Sequence, residues 1–291
     1  MSEIGTALNR QTVRLTKIKL ALLKFFMNLL LIIFSLSCVY PIIWIFISSF
    51  KTAKDFNLHP VSLPTIWETK NYIHVLTETM MPRYILNSTR VTVISVFLII
   101  LIGFITGYFL ARFQTRFSKG MYAYYMVGLL IPIHALLVPL YIITKRLDLV
   151  DTPWALVLPY VAFGLPVAIF LVESYIHALP REMEEAASID GSSFTRTLFT
   201  IILPMSTPIL VTASIIQFFN CWNEFMFALI LLSEQANFTV PLGLTFFKGP
   251  YSTNYPMIMT ATIVSIAPVL LLYMMFSGKI INGIVAGAIK G

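Results

Sequence analysis

The segment that decides the fold is PREMEEAASIDGSSFTRTLFTIILP, residues 180–204. Pro180 suits the first position of a helix, and Glu182 follows in the first turn, where the helix dipole favours an anion. Gly191 stands where a residue in the left-handed conformation would end that helix. The segment therefore predicts a short helix over residues 180–190.

The faces of this predicted helix are unequal, because residues three and four positions apart lie on the same side of a helix. One side carries small and apolar residues together with one acid: Met183, Ala186, Ala187 and Asp190. A second short helix is predicted after Ser192 or Ser193, with Phe194, Leu198 and Ile201 on one face. The two helices would form a compact helix-turn-helix whose small-residue face is open for docking.

Apolar sequence surrounds this segment on both sides. Of the 291 residues, 58% are hydrophobic and only 11% are charged, whereas about 25% of residues are charged in soluble domains. Such an apolar surplus must face lipid. Cys38 and Cys221 both lie in long apolar runs, which excludes a disulfide scaffold and a thiolate metal site. The net charge of +7 is spread between the apolar runs, so a nucleic-acid partner is not expected.

The apolar runs can be counted as membrane spans, because a bilayer core of about 30 Å needs about 20 helical residues. We predict an all-α membrane protein with a six-span domain over residues 25–291. Its transmembrane helices are predicted at about residues 25–50, 84–110, 121–143, 153–175, 206–232 and 256–277. Residues 1–24 carry five lysines and arginines and are predicted as a cytoplasmic N-terminal segment. The first run is too long for a signal peptide.

Positive charge sets the orientation, because cytoplasmic loops retain Lys and Arg. With the N-terminus inside, the inner segments hold twelve of these residues and the outer segments hold seven. The inner segments are 1–24, 111–120, 176–205 and 278–291. We therefore predict that both termini and the loop 176–205 are cytoplasmic.

The same loop carries a motif of defined spacing. Glu185-Ala186-Ala187 is followed after three residues by Gly191, and nine further residues lead to Ile201, one residue and Leu203-Pro204. This pattern resembles the inner-loop signature of permease subunits of binding-protein-dependent ABC importers. Other features resemble the carbohydrate branch, in particular the maltose-type second permease, and the resemblance covers essentially the whole chain. These features are the lead-in Leu179–Glu182, the string Trp222–Phe225 and the tail Ala286–Gly291.

The resemblance implies the type I ABC importer permease fold in a bacterial cytoplasmic membrane. The loop 176–205 would hold a coupling helix that sits in a cleft of a separate ATPase subunit. The implied contact residues are Glu184, Glu185, Ala186, Ala187, Asp190 and Gly191. The implied partners are a second permease subunit, two ATP-binding subunits, and an extracytoplasmic solute-binding protein that delivers a sugar. From the residues alone, an amphipathic loop that packs on its own bundle stays open.

The resemblance also implies that an outer loop reaches into the open binding protein. The candidate contact residues are Thr245, Phe246, Phe247, Lys248, Gly249 and Tyr255. A plain capping loop is the alternative.

Sequence signals for an energy-converting site are missing. A phosphate-binding P-loop needs Gly-x4-Gly-Lys-Ser/Thr, but Gly278-Lys279 is followed by Ile280, and Tyr273 stands where the first glycine should be. Neither His-Glu-x-x-His nor Gly-x-Ser-x-Gly occurs. We expect a non-catalytic chain without a metal or cofactor, and ATP and Mg on partner subunits. His134 lies alone in a span, which favours a structural histidine held by hydrogen bonds.

One acid, Glu224, lies well inside an apolar run. A charged side chain at mid-bilayer costs about 2.5 to 3.5 kcal/mol, so Glu224 should face protein or water. On a helix Gln217, Asn220 and Asn223 share its face, and Trp222 adds an indole. Amides, a carboxylate and an aromatic ring suit a path for a carbohydrate. Interhelical hydrogen bonding or a gate contact is the alternative.

Two further functions stay open on the sequence. One is a self-contained secondary transporter with Glu224 as the proton-coupled carboxylate. The other is an ABC permease for a non-sugar solute, such as glycerol phosphate or a peptide.

Gly103 and Gly107 have a structural role in either case, because small residues four positions apart let the second span pack closely on a neighbour.

Overall fold

The computed structural model describes residues 2–247 and 254–288, and all regular structure in those ranges is helical. The α-helices are α1 (Ser2–Ser48), α2 (Ala53–Leu58), α3 (Lys70–Thr77), α4 (Met81–Arg112), α5 (Arg116–Gly128), α6 (Leu137–Arg146), α7 (Pro153–His177), α8 (Glu182–Ile189), α9 (Phe194–Thr197), α10 (Leu203–Met205), α11 (Thr207–Trp222), α12 (Met226–Leu231), α13 (Val240–Leu244) and α14 (Tyr255–Ala288). The prediction of an all-α protein is confirmed for this part of the chain.

Within residues 2–247 and 254–288, three helical segments are long and apolar enough to cross a membrane: Lys19–Ser48 of α1, α4 and α7. Five spans result if each of two bent helix pairs counts as one. The first predicted span continues the helix of the predicted segment 1–24, because α1 begins at Ser2. Residues 19–43 of this helix are all exposed, as in a helix that faces lipid. The sixth predicted span, 256–277, lies within α14.

The third predicted span, 121–143, is wrong as a single helix. α5 ends at Gly128, and the chain bends by 91° into the segment Ile133–Arg146. Pro132 lies in the bend and has no N–H with which to continue a helical hydrogen-bond ladder. The apolar run is continuous, but the helix is not.

The fifth predicted span, 206–232, begins at a bend and is interrupted once along its length. The helical segment Phe194–Met205 meets α11 at 72°, beside Pro208 at the start of α11. α11 then ends at Trp222, and α12 begins at Met226. The intervening residues therefore leave the helix where the apolar run predicts a helix interior.

The chain divides into two compact units, which are Met1–Asn71 with Tyr255–Ile263, and Tyr72–Asn254 with Val264–Gly291. In the first unit, Thr260 Oγ1 donates to the Ser49 carbonyl at 3.0 Å. Asn71 Nδ2 donates to the carbonyls of Ser49 and Lys51 at 2.9 and 3.0 Å. These hydrogen bonds fix the connection that follows the first span.

The second unit is built on close packing of α4 against α7. A Cβ on Gly107 would lie 2.7 Å from Val172 Cγ1, and a Cβ on Gly103 would lie 3.0 Å from Ala168 Cβ. Both glycines therefore let the two helices approach, as their spacing predicts. α11 packs against both helices. The core at one end of this bundle consists of Phe104, Tyr108, Ala111, Val172, Ile176, Leu198, Ile202 and Leu210.

Candidate functional site

The predicted short helix is present as α8, with three acids in its first turn. It ends in a Schellman motif, in which the Gly191 N–H donates to the Ser188 carbonyl at 3.1 Å and the Ser192 N–H donates to the Ala187 carbonyl at 2.9 Å. Gly191 has a φ of +77°, which glycine adopts without a steric penalty from a side chain. The left-handed cap lies where the sequence predicts it.

The second predicted helix is the single turn α9, which continues into a π turn. Ser193 is its N-cap, since the Ser193 hydroxyl accepts from the Arg196 N–H at 3.4 Å. Leu198 and Ile202 are buried in the core between α4 and α7. The helix-turn-helix is thus seated on the bundle by apolar contacts.

Side chains of α4 hold Glu184 of α8. Arg112 Nε donates to Glu184 Oε1 at 2.6 Å, and the Tyr108 hydroxyl donates to Oε2 at 2.8 Å. Arg112 Nη2 also donates to the Leu179 carbonyl at 3.2 Å. The Arg112 and Glu184 side chains are only 6% and 19% exposed, so salt screens this ion pair less than it would a surface pair. The carboxylate of Glu184 therefore faces α4.

The other predicted coupling residues differ in exposure. Ala187 is buried. Four are exposed: Glu185, Ala186, Asp190 and Gly191. Nothing lies within 4 Å of the place that a Cβ on Gly191 would take. The sequence gives no reason to single out Ile189, which is 86% exposed. The outer side of α8 thus presents small, acidic and apolar groups to solvent.

A second candidate site is a cavity of about 440 Å³ in the second unit. Four predicted path residues line it: Gln217, Asn220, Asn223 and Glu224. His134, Tyr160 and Phe163 also line it. Amides, a carboxylate, an imidazole and a phenol therefore face the same space as an aromatic ring. Among the described residues, no group of three His, Cys, Asp or Glu side chains could hold a metal ion.

The break after α11, not a shared helical face, brings the path residues together. Asn223 is the C-cap of α11, and Glu224 lies beyond the helix, so the prediction that both share a helical face with Gln217 is wrong. Trp222 does not line the cavity. It is 4% exposed and stacks on Phe218 with ring centroids 5.5 Å apart.

Glu224 caps the start of α12. Its Oε1 accepts from the Phe227 N–H at 2.6 Å, and its Oε2 accepts from the Ala228 N–H at 3.2 Å. The Tyr160 hydroxyl donates to Oε2 at 2.8 Å. The first N–H groups of a helix have no partner inside it, and the helix dipole favours a carboxylate there. These contacts explain how an acid is accommodated in an apolar stretch.

Gln217 joins α11 to α7 at the wall of the cavity. Its Nε2 donates to the Gly164 carbonyl at 3.2 Å, and the side chain is buried. A Cβ on Gly164 would lie 2.5 Å from Ile99 Cδ1 and 2.9 Å from Gln217 Oε1. Only glycine at this position lets the amide reach the backbone of α7.

The residues that sequence analysis misses are the partners of the two acids. Arg112 and Tyr108 lie 72 and 76 positions from Glu184, and Tyr160 lies 64 positions from Glu224. No spacing within one sequence reveals such contacts. The cap of α12 had a local signal, because an acid just before an apolar helix is an N-terminal signature.

The predicted outer contact residues are only partly described. Thr245–Phe247 form a 3₁₀ turn of the second unit. Tyr255 belongs to the first unit, where it stacks on Phe56 with ring centroids 5.5 Å apart. Lys248 and Gly249 lie outside the described residues.

The start of this outer loop is fastened to α4 and to the connection that precedes α7. Asn87 Nδ2 donates to the carbonyls of Ala236 and Phe238 at 2.9 and 3.0 Å. Asp151 Oδ1 accepts from the N–H groups of Ser233 and Glu234 at 2.5 and 2.8 Å. The loop therefore has a fixed base.

Comparison with solved structures identifies the class of fold. The chain aligns with a chain of a bacterial ABC transporter involved in the import of the acidic polysaccharide alginate, with a TM-score of 0.79 and 21% sequence identity. The alignment covers 88% of this chain and 96% of that chain. The protein thus shares its fold with a chain of a bacterial ABC transporter.

Sequence comparison identifies the family. Residues 99–290 match the family described as binding-protein-dependent transport system inner membrane component, and the chain belongs to that family. It is 32% identical over 263 residues to the diacetylchitobiose uptake system permease protein NgcG of Streptomyces coelicolor, which covers 90% of this chain and 87% of that protein. It is 32% identical over 265 residues to the trehalose/maltose transport system permease protein MalG of Thermococcus litoralis, with coverage of 89% and 94%. The resemblance carried by the loop motif is confirmed.

Proposed function

We propose that this chain is one of two permease subunits of an ATP-driven importer for a carbohydrate, with an oligosaccharide as the favoured solute. The uptake systems named for its relatives, for diacetylchitobiose and for trehalose and maltose, support this solute class. An extracytoplasmic binding protein delivers the sugar, and two separate subunits hydrolyse ATP with Mg. Both termini lie in the cytoplasm. Together with α1, α4 and α7, the two bent helix pairs and α14 make six spans.

The geometry of α8 is the observation that carries the proposal. One side of this short helix is tied to α4 through Glu184, while Glu185, Ala186 and Asp190 remain exposed. A helix held firmly from behind, with small residues in front, can seat in a cleft of another protein and transmit its movement. We therefore assign the exposed side of α8 and Gly191 as the ATPase contact. Movement of the ATPase subunits then reorients the bundle between outward and inward access.

The cavity beside α11 is the proposed part of the sugar path on this chain. Asn220, Asn223 and His134 offer hydrogen-bond donors and acceptors for hydroxyl groups, and Phe163 offers a ring face for the apolar side of a sugar. Gln217 and Glu224 already bond to protein groups, so their role is to shape the wall.

The proton-coupled alternative assigns Glu224 a different task. A carboxylate that carries protons must release its hydrogen-bond partners in each cycle, whereas this one accepts from two helix N–H groups and one phenol. These contacts favour a structural cap. They give the secondary-transporter hypothesis no specific support.

Coupling is tested by retention of the ATPase subunits on the purified chain. Replacing the exposed Ala186 by Trp should block the contact and remove those subunits, while the chain still inserts in the membrane. Ala178→Trp is the matched control, because Ala178 is exposed outside the proposed contact. Full retention of ATPase subunits and full ATP hydrolysis in Ala186→Trp would refute the assignment.

The path is tested by the concentration dependence of sugar uptake. Asn220→Leu should raise the half-saturating concentration, or lower the maximal rate, by roughly ten-fold if one hydrogen bond to a hydroxyl is lost. Asn28→Leu, on the exposed surface of α1, makes the same chemical change outside the cavity and should have no effect. Unchanged uptake in Asn220→Leu would exclude this residue from the path.

A further inference from the structure

The contact between α8 and α4 joins segments that are far apart in the sequence. α8 is connected along the chain to α7 before it and to α11 after it, through the intervening turns. α4 has no such connection, since Arg112 and Glu184 are 72 positions apart. Their contact is therefore a separate mechanical link.

This link is a closed set of hydrogen bonds. Both oxygens of Glu184 are held, one by Arg112 Nε at 2.6 Å and the other by the Tyr108 hydroxyl at 2.8 Å. Nη2 of the same guanidinium donates to the Leu179 carbonyl at 3.2 Å. Leu179 lies in the connection between α7 and α8. α8 cannot shift or rotate relative to the end of α4 without breaking these bonds.

Aromatic packing between α9 and the end of α4 strengthens the same contact. The ring of Phe194, the first residue of α9, lies 5.8 Å from the ring of Tyr108 and 6.3 Å from that of Phe113, centroid to centroid. Both short helices of the loop are thus held by the last turn and the C-cap of α4.

The environment makes the link stiff and costly to open. The two charged side chains are nearly covered by protein, at 6% and 19% exposed. A covered ion pair is weakly screened, and the loss of one partner leaves the other charge without a compensating group. The link therefore favours movement of α8 and α4 as one piece over sliding of one along the other.

We propose that Glu184, Arg112 and Tyr108 form a junction through which movement of α8 drives α4, so that Glu184 is a positioning residue of the coupling mechanism and not a contact to the ATPase. This rests on the proposed function and adds to it a transmission route. α4 packs closely on α7 through Gly103 and Gly107. The junction therefore carries the motion into the pair of helices at the centre of the second unit.

Charge reversal tests the junction in the assembled transporter. The measured quantities are retention of the ATPase subunits, the rate of ATP hydrolysis, and the amount of sugar moved per ATP in proteoliposomes. The sugar is whichever of maltose, trehalose and diacetylchitobiose the wild-type assembly moves. Arg112→Glu and Glu184→Arg should each keep the ATPase subunits and hydrolysis but lower sugar moved per ATP by roughly ten-fold, the scale of coupling changes on such routes. The double variant should recover most of the loss.

A matched control separates the junction from charge in general. Arg116→Glu reverses an exposed charge just beyond the end of α4. This control should leave sugar moved per ATP unchanged. A merely structural role would instead lower ATPase retention, hydrolysis and transport together.

A chemical crosslink provides a second test if the charge-reversal variants do not fold. Cys38 and Cys221 are first replaced by Ser and Ala, and the thiols of Arg112→Cys and Glu184→Cys are then joined by a short flexible bis-maleimide, which adds one thiol to each ring. Transport per ATP should be low before crosslinking and recover after it, because a tether replaces the ion pair. Single reversals that transport as wild type, or a crosslink that fails to restore transport, would overturn the junction. A wild-type chain that retains no ATPase subunit would instead overturn the proposed function, and the junction with it.

Discussion

A glycine at position 191 can be needed for two reasons, a positive φ or a lack of space for a side chain. The structure separates the two, and this makes Gly191 the sharpest single-residue prediction. Its φ of +77° lies in the left-handed region, where other residues are strained by roughly 1 to 2 kcal/mol. No atom lies within 4 Å of an added Cβ, so a side chain has room in this chain. The cost of a substitution is therefore backbone strain, and it changes how α8 ends.

The backbone strain predicts an order among the substitutions at Gly191. Asn tolerates the left-handed conformation, Ala tolerates it less well, and the β-branched Val tolerates it least. If the strained residue leaves this conformation, the two Schellman hydrogen bonds at Ser188 and Ala187 are lost, at about 1 kcal/mol each. Each change alters the end of α8 and leaves the membrane helices in place.

We expect the rate of ATP-driven uptake to decrease from wild type to Gly191→Asn, then to Gly191→Ala, and then to Gly191→Val. The rate of Gly191→Ala should be roughly ten-fold below wild type, as 1 to 2 kcal/mol implies. Uptake is measured in proteoliposomes, and insertion is checked by size-exclusion chromatography. Gly120→Ala is the matched control, since Gly120 also has open space around it but lies in α5 without a positive φ. Full uptake and full ATPase coupling in Gly191→Val would show that coupling does not need the left-handed end of α8.

Two further substitutions test the second unit. Glu224→Gln leaves one carbonyl oxygen for the N–H groups of α12, so we expect a loss of about 1 kcal/mol in stability, seen as a lower melting temperature. If the melting temperature stays unchanged while uptake becomes independent of a proton gradient, Glu224 is a proton carrier and not a cap. Gly107→Ala forces a Cβ against Val172 Cγ1 at 2.7 Å, so we expect a loss of about 1 to 3 kcal/mol, whereas Gly120→Ala costs nothing. Equal melting temperatures for these two alanine variants would contradict the close packing of α4 on α7.

The end of α8 shows what local sequence can predict. The positive φ of Gly191 and the cap at Ser193 are properties of a few neighbouring residues, and the structure has both. The close approach of α4 to α7 also follows from a local feature, the four-residue spacing of Gly103 and Gly107. Such features depend on backbone sterics and on hydrogen bonds between near neighbours.

The broken helices show where counting apolar residues fails. Hydropathy measures whether a segment prefers lipid, but it does not measure whether the hydrogen-bond ladder is continuous. Pro132 marks the bend after α5, and Pro208 marks the bend before α11, and both prolines are visible in the sequence. Proline alone does not predict such a break, because α7 is continuous through Pro159 and Pro166, and α12 is separated from α11 without a proline.

The partners of Glu184 and Glu224 show the second limit. Each acid finds a tyrosine more than sixty positions away, and Glu184 also finds an arginine. Which helix ends meet depends on the packing of the whole bundle. A single sequence therefore predicts that an acid needs a partner in an apolar setting, but not which residue provides it.

The proposed function requires that this chain moves solute only when separate ATPase subunits act on the loop 176–205. Uptake into proteoliposomes tests it directly, with the isolated chain in one set and the complete assembly of two permeases, two ATPase subunits and binding protein in another. We predict no uptake by the isolated chain with any ion gradient, and uptake by the assembly that stops when ATP is withheld. Uptake by the isolated chain, driven by a proton gradient, would contradict the proposed ATP-driven function.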